Sequence, residues 1–166
     1  PRSMTRDEKI KIGAKYLNEG KVIGWFQGRM EYGPRALGAR SILASSRDNS
    51  INDSLNRRLN RTEFMPFAPV TTDKLAPLCF IGWEANHIAS RFMTTCYQCT
   101  DLMQVRCAAT VHIDNTARVQ TCTKSSGKIF EILSSFHDTT NVPILINTSL
   151  NDNNEPIVMT PIDALS

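Results

Sequence analysis

The sequence predicts a single domain of mixed α/β (α+β) class spanning residues 1–166. Three observations lead to that class. Helical spacing of apolar residues appears near both ends, at Ile10, Ile12, Ala14 and Leu17, a partly amphipathic stretch, and again at Ile129, Ile132, Leu133 and Phe136. Short apolar runs of strand character interleave with these helices, at 21–26, 40–44 and 143–147. Neither an internal repeat nor a low-complexity linker divides the chain. Helices and strands mixed along one stretch of this size build one layered core. With 41% hydrophobic and 21% charged residues, the chain can bury that core without disulfide or metal staples.

Each element has its own signal. Thr5 and Glu8 form a capping-box pattern that starts a helix, and Gly20 stops it. Lys21 to Phe26 is an apolar run bounded by Gly28, hence a strand. After a Gly/Pro-rich connection, Arg40 to Ala44 reads as a second strand. Asp48, Asn49 and Ser50 supply caps for a helix running to about Leu59. Phe64 to Pro69 carries closely spaced prolines and is expected to be a shaped loop leading into Val70-Thr71-Thr72. In the middle of the chain, Leu75 to Phe80 is expected to be a helix broken by Pro77, and Phe92 to Cys96 a strand. Ala109 to Ile113 and Ala117 to Thr121 are expected to be two strands around an Asp114-Asn115 turn. Lys128 to His137 is a helix and Pro143 to Asn147 a buried strand. Pro161 to Ser166 is expected to be the first turn of a helix cut short.

Bulk properties exclude several classes. No run of about 18 apolar residues is present, so no membrane-spanning helix is expected. The start, Pro1-Arg2-Ser3-Met4, lacks the apolar stretch of a secretory signal. A net charge of +3 does not by itself call for a nucleic-acid surface. The five cysteines have no disulfide-scaffold spacing, which suggests reduced thiols and a cytoplasmic location. Cys96 and Cys99 form a C-x-x-C, but no second ligand pair at zinc spacing follows, so no metal site is assigned.

The arginines are unusual. Seven lie between Arg29 and Arg61 (29, 35, 40, 47, 57, 58 and 61), and no lysine lies among them. A guanidinium makes forked, bidentate contacts to phosphate or carboxylate. The stretch also holds Gly28, Gly33 and Gly38, which let backbone N–H groups approach an anion. Arg35, held between Pro34 and an apolar Ala-Leu-Gly, is the strongest candidate. Arg57 and Arg58 read more simply as a solvated helix face. Neither a P-loop nor a G-x-G-x-x-G is present, so a nucleotide would be held by neither common fingerprint. A second candidate group is Thr110 to Gln120, with His112, Asp114 and Arg118. A lone histidine is more often structural than catalytic, and Arg118 in an apolar run calls for an anionic partner. A third is Asn147-Thr148-Ser149-Leu150-Asn151, small polar side chains just after a buried strand; its plain alternative is an ordinary turn. Ser149, His112 and Asp114 contain the side chains of a nucleophilic triad, but no G-x-S-x-G elbow surrounds Ser149.

Taken in order, these segments resemble the C-terminal domain of NodU-type carbamoyltransferases. The likeness runs through Gly24 to Leu43, with Gly28-Arg29-Met30-Glu31-Tyr32-Gly33-Pro34-Arg35-Ala36-Leu37-Gly38 at its centre. It resumes at Pro66 to Pro69, His112 to Asp114, Thr116 to Gln120, Asn147 to Asn151, and Glu155 to Val158. The resemblance implies a YrdC-like twisted, open mixed sheet with flanking helices. It further implies a domain that binds carbamoyl phosphate and ATP, with Mg2+ accompanying the nucleotide, and makes carbamoyl adenylate. An N-terminal ASKHA-type domain, outside this chain and carrying the enzyme's own metal, would then pass the carbamoyl group to a hydroxyl acceptor. On that view the chain is one piece of a larger enzyme.

Carried onto this sequence, the resemblance makes Arg35, Arg118 and Ser149 the catalytic candidates. Gln27, Arg29, Arg61, His112, Asn147 and Asn151 become candidates for holding substrate or nucleotide. Asn60 and Met65 stand where the family commonly has Lys and Arg, and Leu150 where it has Phe. Two other readings remain open: a nucleic-acid-binding or threonylcarbamoyl-adenylate-forming YrdC-like domain, and a non-catalytic zinc or interaction module.

Overall fold

The computed structural model describes residues 3–59, 67–152 and 155–165. Helix α1 (Arg6–Asn18) begins at the expected capping box. The Thr5 hydroxyl accepts from Glu8 N at 3.3 Å, and the Glu8 carboxylate accepts from Thr5 N at 2.8 Å. Gly20, at φ +75°, follows its end. Strands β1 (Ile23–Phe26) and β2 (Arg40–Ser45) come next, then helix α2 (Ser50–Arg58). Strand β3 (Ala68–Thr72) and the single-turn helix α3 (Ala76–Cys79) precede strand β4 (Cys96–Gln98) and helix α4 (Asp101–Arg106). Strands β5 (Thr116–Arg118) and β6 (Gln120–Cys122), helix α5 (Lys128–Thr140) and strand β7 (Leu145–Ser149) complete the order.

Five strands form one sheet in the order β1-β2-β7-β3-β6, antiparallel except for the parallel pair β3 and β6. Side-chain alternation splits its apolar residues between two faces. Leu43, Val70 and Leu145 face α1 and α5, packing with Leu17, Ile132 and Phe136. Ile42, Ala44 and Ile146 face the other way, onto Leu55 of α2 and Phe67. Each such buried Leu, Ile or Phe contributes about 1.5–3 kcal/mol. The two helices on the first face approach closely because Gly13 has no side chain. A Cβ there would lie 2.8 Å from Ile132 Cδ1. The Arg6–Glu131 ion pair joins the same helices at the surface. The mixed sheet with flanking helices is thus the architecture the sequence implies.

Several local expectations are corrected. Residues Ile88–Phe92 form a 3-10 helix, and the strand begins only at Cys96. Ser90 is the cause: its hydroxyl bonds Trp83 Nε1 and Thr121 Oγ1, pinning the turn against β6. Ala108–Thr110 is likewise a 3-10 turn rather than a strand. Thr110 Oγ1 donates to Cys107 O, and Asn52 of α2 donates to Ala109 O, so these carbonyls are taken outside any ladder. The run 117–121 divides at Val119, where the chain passes from pairing with β4 to pairing with β3. Pro77 sits in the first turn of α3, where a missing N–H costs nothing, and does not break it. Strand β7 starts two residues after Pro143 because side chains claim the preceding carbonyls: Thr71 Oγ1 donates to Pro143 O and Ser46 Oγ to Ile144 O. Pro69 belongs to β3 rather than to the loop before it; β6 pairs only from Val70 onward, so no ladder bond is lost there. Residues 161–165 remain a turn, with Asp163 Oδ2 accepting from Met159 N and Thr160 N. The expected loop at 64–66 lies outside the described residues.

Candidate functional site

The arginine–glycine block is a loop that supports itself from within. It leaves β1 and returns to β2, closed by Gln27 N donating to Ala39 O at 2.9 Å. Glu31 Oε1 accepts from both Leu37 N and Ala39 N at 2.6 Å, which draws the far end of the loop back over its start. Gln27 Nε2 donates to Gly38 O at 2.5 Å. Gly38, at φ +116°, rests on α5 so closely that a Cβ would meet Ile129 Cβ at 2.7 Å. Glycine is required there twice over, by conformation and by contact.

Arg40 closes the base of the loop. It is only 4% exposed, and its guanidinium donates to the carbonyls of Gln27, Gly28, Ala39 and Met159. It also stacks on Phe26, 3.5 Å from the ring centroid. A planar, multi-donor cation suits this job; an ammonium would not.

The loop is tied down on the sheet by two buried amides. Asn147 Nδ2 donates to Ala36 O at 3.1 Å, and Gln120 Nε2 donates to Leu37 O at 2.8 Å. The two amides meet each other, Asn147 Nδ2 donating to Gln120 Oε1 at 2.6 Å. In consequence Pro34, Arg35 and Ala36 are held over the end of the sheet where β2, β3 and β6 begin and β7 finishes. Among these four strands, only β7 ends there.

A small cleft opens at that place. Arg35 comes from the loop, Arg118 from the end of β5, and Asn147, Thr148 and Ser149 from the end of β7; Ala68 and Met93 complete the apolar part. Arg35 is exposed and Arg118 half-buried, whereas Asn147 is only 1% exposed. Its Oδ1 is buried without a hydrogen-bond partner, as is the hydroxyl of Ser41, which pairs with Ser149 across β2 and β7. Two guanidinium groups beside small polar side chains can neutralise an anion and hydrogen-bond a small polar group next to it.

Of the residues singled out in the sequence, four therefore meet: Arg35, Arg118, Asn147 and Ser149. Among the described residues, the remaining candidates Gln27, Arg29, His112 and Asn151 do not line this cleft. Gln27 uses its amide nitrogen on Gly38, within the loop. Arg29 is exposed. His112 Nδ1 is hydrogen-bonded to Thr116 Oγ1 at 3.1 Å, and that hydroxyl donates to Asp114, so His112 and Asp114 serve a turn and not Ser149. Asn151 lines a separate hollow with Leu59, Asp152 and Glu155, and its amide nitrogen donates to the carbonyls of Asp152 and Glu155. Arg61, Asn60 and Met65 lie outside the described residues. The arginine run is not one pocket either: Arg47 donates to Asn18 O, while Arg57 and Arg58 lie exposed on α2.

Sequence reasoning missed Glu31, Arg40 and Gln120 as site-builders. A lone acid inside a glycine-rich loop was the available signal for Glu31, since such a loop leaves backbone N–H groups in need of an acceptor. Gln120, 2% exposed in a strand, becomes readable only once its partners are known.

The cysteines do not contribute. Cys79, Cys99, Cys107 and Cys122 are buried, and burial pushes their thiols up, to about 12 for Cys99 and Cys122 and about 11 for Cys107. Cys96 is exposed and Cys99 buried, and among the described residues no three His, Cys, Asp or Glu side chains gather as a metal site. Among the described residues, no helix is long and apolar enough to cross a membrane.

Comparison with known proteins bears on the whole chain. Residues 14–166 match the family model described as "Carbamoyltransferase C-terminus". The nodulation protein NolNO of Sinorhizobium fredii is 37% identical over 162 residues, covering 96% of this chain and 24% of that protein. Nodulation protein U of Azorhizobium caulinodans is 37% identical over 139 residues, covering 83% of this chain and 24% of its own length. The chain thus spans about a quarter of the length of these relatives. Among solved structures, full-length HypF in its phosphate- and nucleotide-bound form superposes with a TM-score of 0.61 at 17% identity. That match covers 98% of this chain and 20% of HypF, and it shows a shared fold.

Proposed function

The chain belongs to the carbamoyltransferase C-terminal family, and from that premise we propose that its cleft binds carbamoyl phosphate and ATP and forms carbamoyl adenylate. The observation that carries this reading is the meeting of Arg35 and Arg118 with Asn147 and Ser149 in one small cleft. The two guanidinium groups take the phosphate oxygens and the charge that builds at the α-phosphorus. Ser149 and Asn147 hydrogen-bond the carbamoyl group, which offers both donors and an acceptor. Water releases phosphate from carbamoyl phosphate, and an oxygen of the resulting carbamate displaces pyrophosphate from ATP. The protein's share is positioning and electrostatics, with Mg2+ bound to the nucleotide.

The HypF chain, one fifth of which shares this fold, is described as phosphate- and nucleotide-bound, and its ligands give the anion reading a precedent in a protein of related architecture. The relatives are about four times as long, which supports a further domain to which the adenylate is handed on. Its recipient is an N-terminal ASKHA-type domain of the larger enzyme, which transfers the carbamoyl group to a hydroxyl acceptor. The test is pyrophosphate release from ATP by the chain, alone and rejoined to that N-terminal portion. Release that requires carbamoyl phosphate is expected; release indifferent to it, or none in either form, contradicts the proposal.

A further inference from the structure

We infer that Gln120 is a positioning residue that fixes the acyl specificity of the cleft, by locking the Asn147 amide so that its oxygen must receive an N–H from the bound molecule. The inference rests on the reading of the cleft as an acyl-phosphate site.

The lock follows from two backbone carbonyls, which can only accept. Leu37 O faces one end of the Gln120 amide, so that end is Nε2. The other end, Oε1, therefore meets Asn147 and requires a donor there. Ala36 O makes the same demand on Asn147 from the loop side. Both hydrogens of Asn147 Nδ2 are thus committed. Turning the Asn147 amide over would set its oxygen against Ala36 O and Gln120 Oε1, acceptor against acceptor. Turning Gln120 over would set Oε1 against Leu37 O. Neither amide can reverse alone, and Asn147 Oδ1 is left buried without a donor.

That unpaired acceptor belongs to a residue that lines the same cleft as Arg35 and Arg118. A buried acceptor is satisfied by a molecule that brings an N–H and penalises one that does not. The carbamoyl group has an amino group where acetyl has a methyl of similar size. A site built around a hydrogen bond rejects the analogue lacking it far more strongly than an apolar pocket rejects a change of shape. The selection is therefore for an amino-bearing acyl phosphate, and it is made by Asn147 only while Gln120 holds it.

The experiment measures dissociation constants of the full chain for carbamoyl phosphate, acetyl phosphate and inorganic phosphate. The unsubstituted chain should favour carbamoyl over acetyl phosphate by about thirtyfold or more. Gln120→Met should shrink that ratio to below about fivefold; because it also removes the tie to Leu37 O that helps hold the Arg35 loop, inorganic phosphate is measured alongside and the ratio carries the test. A purely structural loss would instead weaken all three ligands together. Asn147→Ala supplies the same ratio test should Gln120→Met fail to fold. Equal affinity of the unsubstituted chain for the two acyl phosphates, or a ratio that survives both substitutions, overturns this inference and leaves the anion site standing. Failure to bind any of the three phosphates overturns the site reading along with it.

Discussion

Gly38 lies directly on Ile129: a Cβ added to the glycine would sit 2.7 Å from the Cβ of the isoleucine. Ile129 is 1% exposed in α5, so neither backbone has room to yield. The contact sets the height of the loop above the sheet and hence where Arg35 stands. Gly38→Ala should cost more than about 2 kcal/mol, combining φ strain with overpacking. Gly33→Ala, at φ +130° but in open space, should cost only about 1–2 kcal/mol of conformational strain. Urea unfolding of the two variants checks the difference. Equal costs would mean that the Ile129 contact is unimportant.

Glu31 is the loop's internal acceptor. Glu31→Leu strands the N–H groups of Leu37 and Ala39 and should destabilise the protein by roughly 2–4 kcal/mol, whereas Glu31→Gln keeps an acceptor oxygen and should recover most of that loss. Binding of inorganic phosphate should follow stability of the loop, weakened in the Leu variant and largely restored in the Gln variant. A Gln variant as impaired as the Leu variant would contradict this role.

Thiol chemistry should divide four to one. At pH 8 a soluble aromatic disulfide should label Cys96 promptly, and Cys79, Cys99, Cys107 and Cys122 only after unfolding. Burial holds those four thiols protonated far above that pH. Prompt labelling of two or more thiols in the folded chain would be inconsistent with the packing described.

Acid should loosen α1. The backbone N–H and the hydroxyl of Thr5 hold the Glu8 carboxyl below its ordinary value. A folded value below the unfolded one gives stability that is complete above about pH 4.3 and lost as pH falls through the folded value. Glu8→Gln should therefore remove part of the loss in stability between pH 6 and pH 3. The check is urea unfolding at both pH values. An unchanged pH difference would mean that the capping box carries no charge dependence.

Much of this was legible in the sequence because local chemistry and global fold agree. The Thr5–Glu8 cap, the apolar face of α5 and the strands around Leu43 and Ile146 are each written in a short window. Arg35, Arg118, Asn147 and Ser149 were also readable, as polar side chains placed where a turn or apolar run had no evident use for them. The misreadings share one cause. At Phe92 to Cys96 and Ala109 to Ile113, side chains distant in sequence, Thr121 and Asn52, take bonds that decide the backbone's path. Gln27 and His112 have polar chemistry suited to a ligand, and within the fold Gln27 Nε2 bonds Gly38 O and His112 Nδ1 bonds Thr116 Oγ1. Composition cannot distinguish an arginine that holds four carbonyls, as Arg40 does, from one that waits beside a cleft, as Arg35 does.

The most direct test of the central claim is a calorimetric titration of the chain with carbamoyl phosphate in the presence of ATP and Mg2+, repeated on Arg35→Ala and Arg118→Ala. Binding by the unsubstituted chain is expected, weakened at least about tenfold in each variant with the far-ultraviolet circular dichroism spectrum preserved. Affinity unchanged in both variants, or no binding by the unsubstituted chain even when rejoined to its N-terminal portion, would contradict it.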